Sequence, residues 1–151
     1  MSAGLEVISP GLMTSVQDRG RFGYQALGIS VSGALDTDSF DIANALVGNE
    51  SGNKVGTGAL EIRMLGPTLK VTADSVTVAL AGTATAIEVV APEREVISAC
   101  RSVTLLKGQV FRVGAVSDSA VCYLAVHGGF DLPPIYGSPV SYTHLTLPTS
   151  G

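Results

Sequence analysis

The sequence predicts a mainly β domain, a barrel or sandwich carrying one α-helix, and three observations predict it. Val and Thr alternate with other residues over short stretches, turn signals recur at close spacing, and helical periodicity is sustained in one place only. Many short strands imply a closed or doubled sheet, because that is how such a chain buries its strands and limits its open edges.

Along the chain, the first strands are Leu5 to Ile8 and Met13 to Gln17. The helix is predicted over Asp38 to Val47: Phe40, Ala43, Leu46 and Val47 fall at helical spacing, Asp36 or Thr37 caps the entry, and Gly48 ends it. Its apolar stripe predicts packing on a sheet. The stretch from Asn49 to Gly58, rich in Gly, Asn and Ser, reads as a connection. Further strands are predicted at Ala59 to Arg63, Thr68 to Thr72, Val76 to Ala81 and Thr85 to Val90, then Glu95 to Ile97, Val103 to Leu106, Val110 to Val113 and Ala120 to Val126. Gly66-Pro67, Ala73-Asp74-Ser75, Lys107-Gly108 and Ser117-Asp118-Ser119 supply turns between them.

Composition narrows the function classes. The chain has 151 residues and 15.4 kDa, one domain's worth, and 9 Lys+Arg against 13 Asp+Glu give a net charge of −4. With 46% hydrophobic and 15% charged residues it is not a disordered chain. No basic cluster offers the phosphate-neutralising surface that nucleic-acid binding needs. The mean hydropathy of +0.39 does not come from a spanning helix, since no apolar run approaches the roughly 18 residues required. Without a positive leader or an apolar signal segment at the start, a cytoplasmic location is expected. Cys100 and Cys122 have no metal-ligand spacing and lie in apolar, strand-like surroundings, so both are expected to be buried free thiols.

The segment from Thr14 to Asp36 is the richest in chemistry. Gly20, Gly23, Gly28 and Gly33 punctuate Gln17, Asp18, Arg19, Arg21, Tyr24, Gln25, Ser32 and Asp36. Glycine lets backbone approach a ligand, and Arg21 can hold a carboxylate or phosphate through two parallel hydrogen bonds. The structural alternative is a self-capped loop in which Asp18 pairs with Arg21 and Asp36 caps the helix. Neither a phosphate-loop nor a dinucleotide glycine pattern is present, nor a nucleophile elbow or a metal-ligand cluster. Glu61, between Leu60 and Ile62 on a strand, either faces solvent or points inward and pairs with Arg21. His127, before Gly128-Gly129, is either a strand-end residue at a turn or a titrating group beside a site.

In their order and spacing, Pro10-Gly-Leu-Met-Thr-Ser-Val-Gln-Asp18, Gly20-Arg-Phe-Gly-Tyr24, Ser32-Gly-Ala-Leu-Asp36, Ala43-Asn-Ala-Leu-Val-Gly-Asn49, Ala59-Leu-Glu-Ile62 and Tyr123-Leu-Ala-Val-His-Gly-Gly-Phe-Asp-Leu-Pro-Pro134 resemble one family. It is the allophanate hydrolase subunit two family, also called biotin-dependent carboxyltransferase-like proteins. The resemblance implies a cyclophilin-like β-barrel. It also implies a place in ATP-dependent 5-oxoprolinase as its C subunit, in the carboxyltransferase part of urea carboxylase, or as a non-catalytic regulator of a kinase inhibitor. His127 stands where the family more often has a small residue, which argues against catalysis by it.

The resemblance runs to about Ser138 and then stops. Val140-Ser-Tyr-Thr-His-Leu-Thr-Leu-Pro-Thr149 is similar to the translation of a transposon-end adapter used in sequencing libraries, although Tyr142, Leu145 and Leu147 also suit an edge strand. The expected organisation is therefore a barrel domain over 1–139, the N-terminal part of a longer subunit, and a foreign segment over 140–151.

Read through the family, the chain is a fragment of a 5-oxoprolinase subunit acting on a small amide or lactam, inactive alone, with biotin-dependent carboxyl transfer to urea as the alternative. Gln17, Asp18, Arg21, Ser32 and Gly33 are the expected substrate-binding residues, with Asp36 and Glu61 supporting them. No cofactor is expected in this chain; ATP, or alternatively biotin, belongs to the intact complex, whose other members resemble subunits A and B.

Overall fold

The computed structural model describes residues 4–17, 35–49, 58–130 and 146–147. The order is β1 (Leu5–Ser9), β2 (Leu12–Gln17), α1 (Thr37–Leu46), β3 (Ala59–Leu65), β4 (Thr68–Val71) and β5 (Ser75–Ala81), followed by β6 (Ile87–Ala91), β7 (Glu95–Ile97), β8 (Ser102–Leu106), β9 (Val110–Val113), β10 (Cys122–Val126) and β11 (Thr146–Leu147). Each strand expected from the sequence is present, with ends shifted by up to two residues. The two-residue β11 is added, set beside β1 through Leu5↔Leu147 and Glu6↔Thr146.

The strands form two antiparallel sheets. One has the order β11-β1-β4-β9-β6-β7 and the other β2-β3-β10-β5-β8. Alternation decides which side chains meet between them. Leu5, Leu69, Val71, Ile87, Val89 and Phe111 of the first sheet close on Leu60, Ile62, Val78, Leu80, Leu105 and Leu124 of the second, all buried. This mainly β, two-sheet arrangement with one helix among the described residues is the predicted fold class.

A second, smaller core lies on the opposite face of the five-stranded sheet. Here α1 lays Phe40, Ala43 and Val47 on Ala59, Ala79, Ala81, Tyr123 and Ala125. The small residues let the helix approach the strands closely, and the Phe40 and Tyr123 rings meet edge to face at 5.8 Å. Strand β10, between these two cores, is buried along its whole length.

Both ends of α1 follow from local chemistry. Asp36 is the N-cap: its carboxylate accepts from the Ser39 N–H at 3.1 Å and the Ser39 hydroxyl at 2.7 Å. Gly48, at φ +80°, takes the left-handed conformation that stops the helix. The hydrogen bonds from the Ser39 side chain and backbone hold the Asp36 pKa below its ordinary value of 3.8. A depressed folded pKa means that the cap contributes fully above that ordinary value and fades as pH falls through the folded one. Asp36→Ala should therefore cost about 1 kcal/mol at pH 7, and the Tm gap to the wild-type chain should narrow below about pH 4 in acid melts.

One expectation about the cysteines is corrected. Cys122 is buried within β10, and burial, with Asp118 nearby, pushes its thiol pKa up to about 12. Cys100 is exposed instead. It occupies a turn at φ +62° between β7 and β8, pinned by its N–H on the Leu80 carbonyl, so it is not strand-like. A thiol reagent should titrate one cysteine in the native chain and both in denaturant, because the thiolate is the reactive form; two fast thiols in the native chain would contradict this packing.

Candidate functional site

The polar segment beyond β2 leaves the described structure after Gln17 and re-enters it at Leu35, and both points lie beside one row of side chains. Strand register builds that row. Ser15 stands opposite Glu61, and Glu61 opposite Tyr123, on adjacent strands β2, β3 and β10. All three therefore share the face of the five-stranded sheet that α1 partly covers.

Glu61 is at the centre and 3% exposed. Its Oε2 accepts from the Tyr123 hydroxyl at 2.6 Å and from the Leu35 N–H at 2.9 Å. Its Oε1 accepts from Arg63 Nη2 at 3.1 Å. Two residues apart on one strand, Glu61 and Arg63 necessarily point to the same side. The Tyr123 hydroxyl, fully buried, also accepts from the Asp36 N–H at 2.9 Å. Burial raises the Tyr123 pKa well above its ordinary value, and the hydrogen bond to Glu61 adds to this, so the phenol stays protonated and donates to the carboxylate.

This arrangement has a definite chemical meaning. Both carboxylate oxygens of Glu61 are occupied by donors, and among the described residues these are the re-entry point of the chain, a buried phenol and a guanidinium. Glu61 is thus an anchor that fixes Leu35 and Asp36 where α1 begins, rather than an uncommitted base. Beside it, Gln17 donates from Nε2 to the Ser15 hydroxyl at 3.0 Å.

The other end of α1 is tied to the same central strand. Asn49 Nδ2 donates to the Asn44 side chain at 2.8 Å and to the Val126 carbonyl at 2.9 Å, and Asn49 Oδ1 accepts from the Gly128 N–H at 2.7 Å. Asn44 is buried and donates to the Phe40 carbonyl at 3.2 Å. His127 is exposed at the turn after β10, with Nδ1 2.7 Å from the Val47 carbonyl oxygen. That is the strand-end reading of this histidine.

Of the residues expected to bind substrate, Gln17 is placed beside this cluster, while Asp18, Arg21, Ser32 and Gly33 lie outside the described residues. Asp36 caps the helix, as expected. Glu61 points inward, and the cation seen against it is Arg63. Sequence reasoning overlooked Arg63 and Tyr123. The i, i+2 spacing of Glu61 and Arg63 was a usable signal; Tyr123 required knowledge that β10 pairs with β3.

Known proteins share this architecture. A family profile described as "Carboxyltransferase domain, subdomain A and B" matches residues 27–150. Urea amidolyase from Saccharomyces cerevisiae is 31% identical over 140 residues, which are 92% of this chain and 7% of that protein. The C subunit of 5-oxoprolinase from Escherichia coli is 36% identical over 134 residues, covering 89% of this chain and 41% of that one. Among solved structures, the urea amidolyase of K. lactis superposes with a TM-score of 0.81 at 31% identity over 99% of this chain and 9% of its own. The protein TTHA0988 superposes with a TM-score of 0.79 at 31% identity, over 95% of this chain and 54% of its own. The chain therefore spans well under two thirds of the proteins it matches, and across most of its own length it belongs to the family of the carboxyltransferase domain, subdomains A and B.

Proposed function

We propose that the chain is part of an enzyme subunit that handles a small amide or lactam, with 5-oxoproline as the first choice of substrate. The observation that carries this reading is the anchored polar row. The buried Glu61–Tyr123 pair, with the half-exposed Arg63 beside it, fixes the far end of the glycine-rich segment whose near end carries Gln17. A rigid frame holding both ends of a polar, glycine-rich segment is what ligand recognition by positioned backbone and side-chain donors requires. The 36% identity to the C subunit of a 5-oxoprolinase supports the choice of substrate.

In this reading Arg21 holds the ligand's carboxylate, and Gln17, Asp18, Ser32 and the backbone at Gly33 orient it. In the same reading ATP is left to the intact complex and to partner subunits resembling A and B. The 140–151 segment is assigned no role, and a cytoplasmic location goes with the reading. No helix among the described residues is long and apolar enough to cross a membrane.

The test is 5-oxoproline-dependent ATP hydrolysis by an intact subunit that includes this segment, reconstituted with its partners. Arg21→Ala should lower turnover by about 100-fold or more with little change in Tm; undiminished turnover would reject the assignment. The matches to urea amidolyase favour a second reading, carboxyl transfer from biotin to urea. Turnover that requires urea and a biotin-bearing partner, and ignores 5-oxoproline, would select it.

A further inference from the structure

Five of the nine exposed large apolar side chains among the described residues lie together, the other four being Leu35, Ile42, Val96 and Leu106. Ile8, Leu12, Met13, Met64 and Leu65 are between 41% and 61% exposed, and they gather where β1 passes into β2 and β3 ends. Leu12 stands directly opposite Leu65, and the register then shifts so that Met13 faces the Arg63–Met64 pair. Gly11 holds the β1–β2 connection against the Leu65 and Gly66 carbonyls, so the corner is closely packed beneath its exposed side chains. Beyond Leu65 the surface continues into a cleft of about 500 Å³ on the outer face of the six-stranded sheet, lined by Leu65, Thr68, Glu88, Val96 and Arg112. The five-stranded sheet has α1 on its outer face; among the described residues this one has no such cover.

The backbone at the corner is as unusual as its exposure. Met13 has φ +56° and Met64 φ +66°. Both are therefore in the left-handed region that non-glycine residues enter at a cost, and glycine would enter it freely. The register shift between β2 and β3 uses a left-handed residue, but nothing in that shift requires a methionine, and glycine would serve it at lower cost. A contact surface gains from methionine, because the long thioether side chain adapts to an apolar partner, and clustered exposed apolar groups mark such surfaces.

The length of the relatives points to the partner. This chain corresponds to 41% of the E. coli 5-oxoprolinase subunit it resembles and 54% of TTHA0988. The family profile names two subdomains, whereas the described residues form a single two-sheet unit. We propose that the Met13–Met64 corner and the adjoining cleft seat the remaining carboxyltransferase-domain polypeptide of the intact subunit. The proposal rests on family membership and not on the choice of substrate, and its test reads binding and not turnover, so the two can fail separately.

The probe is the part of the E. coli 5-oxoprolinase C subunit beyond the stretch that matches this chain, produced as a separate polypeptide, shown to melt cooperatively by itself, and then mixed with the 151-residue chain. A 1:1 complex is expected, with slowed amide exchange at residues 12–13 and 64–65. Met64→Asp should weaken it at least about tenfold, since a carboxylate would have to be buried, while the Tm of the free chain stays near that of the wild type. Met64→Gly should raise that Tm and still weaken the complex, a combination that a merely structural methionine would not produce. The proposal is overturned by absence of a complex, by protection confined to other surfaces such as the β8 edge, or by Met64→Asp binding as well as the wild type. Self-association through the corner that the probe does not displace would also overturn it, assigning the surface to a second copy of this chain.

Discussion

Glu61→Ala should destabilise the fold by about 3 kcal/mol, lowering the Tm by roughly 10 °C for a chain of this size. The reason is asymmetric. The substitution removes one acceptor but strands the Tyr123 hydroxyl, which is fully buried and cannot turn to water. Arg63 is 38% exposed and can rehydrate, so its loss of partner adds little. Glu61→Gln retains an acceptor for the phenol and should cost about 1 kcal/mol. A double-mutant cycle with Tyr123→Phe isolates the pair: once the hydroxyl is gone, removing Glu61 should be cheaper by about 1–2 kcal/mol. Thermal or urea melts of the four chains measure this. If Glu61→Ala melts within about a degree of the wild-type chain, the carboxylate is not an anchor. In an intact subunit the same change should also loosen the start of α1, because Leu35 loses its acceptor there.

Gly66→Ala is the second large effect, and it has a purely steric origin. A Cβ at this position would fall on the Val113 carbonyl oxygen and on the Val113 side chain, and Val113 belongs to β9 at the centre of the six-stranded sheet. Gly66 also donates to the Gly114 carbonyl at 3.1 Å, and Val113 donates back to the Pro67 carbonyl at 3.1 Å, so neither segment can yield without breaking a hydrogen bond. A loss of about 3 kcal/mol is expected, at the upper end of ordinary overpacking. Gly108→Ala is the matched control: nothing lies within 4 Å of its Cβ position, so only the backbone term at φ +91° applies. Denaturant midpoints that move equally for the two variants would show that close packing of β9 on Gly66 is not what position 66 serves.

These two positions separate what is written locally from what is not. Several strands were legible because they alternate a buried and an exposed face, as in Thr68–Val71 and Val110–Val113, where the second and fourth residues are buried, whereas β10, buried throughout, was legible as a short apolar run. The helix was legible because Asp36 and Gly48 bracket an apolar stripe. The same logic failed for Cys100. Its apolar neighbours suggested a strand, but the chain turns there, and a turn residue at positive φ is carried outward whatever its neighbours are.

The candidate site was half legible. Gln17, Asp36 and Glu61 could be picked out because they are polar residues at element ends or amid apolar ones. That Glu61 meets Tyr123, 62 positions away, depends on β10 lying between β3 and β5. That Asn49 ties α1 to Val126 and Gly128 depends on the same placement. The amino-acid sequence by itself determined the elements, their order, the helix cap and the family, because periodicity, capping and motif spacing are properties of neighbouring residues. Only the tertiary structure decided that Arg63 and Tyr123 meet Glu61, which cysteine is reachable and that two methionines stand strained in water at one corner. Those outcomes are set by strand order and register, through contacts between residues far apart in the chain.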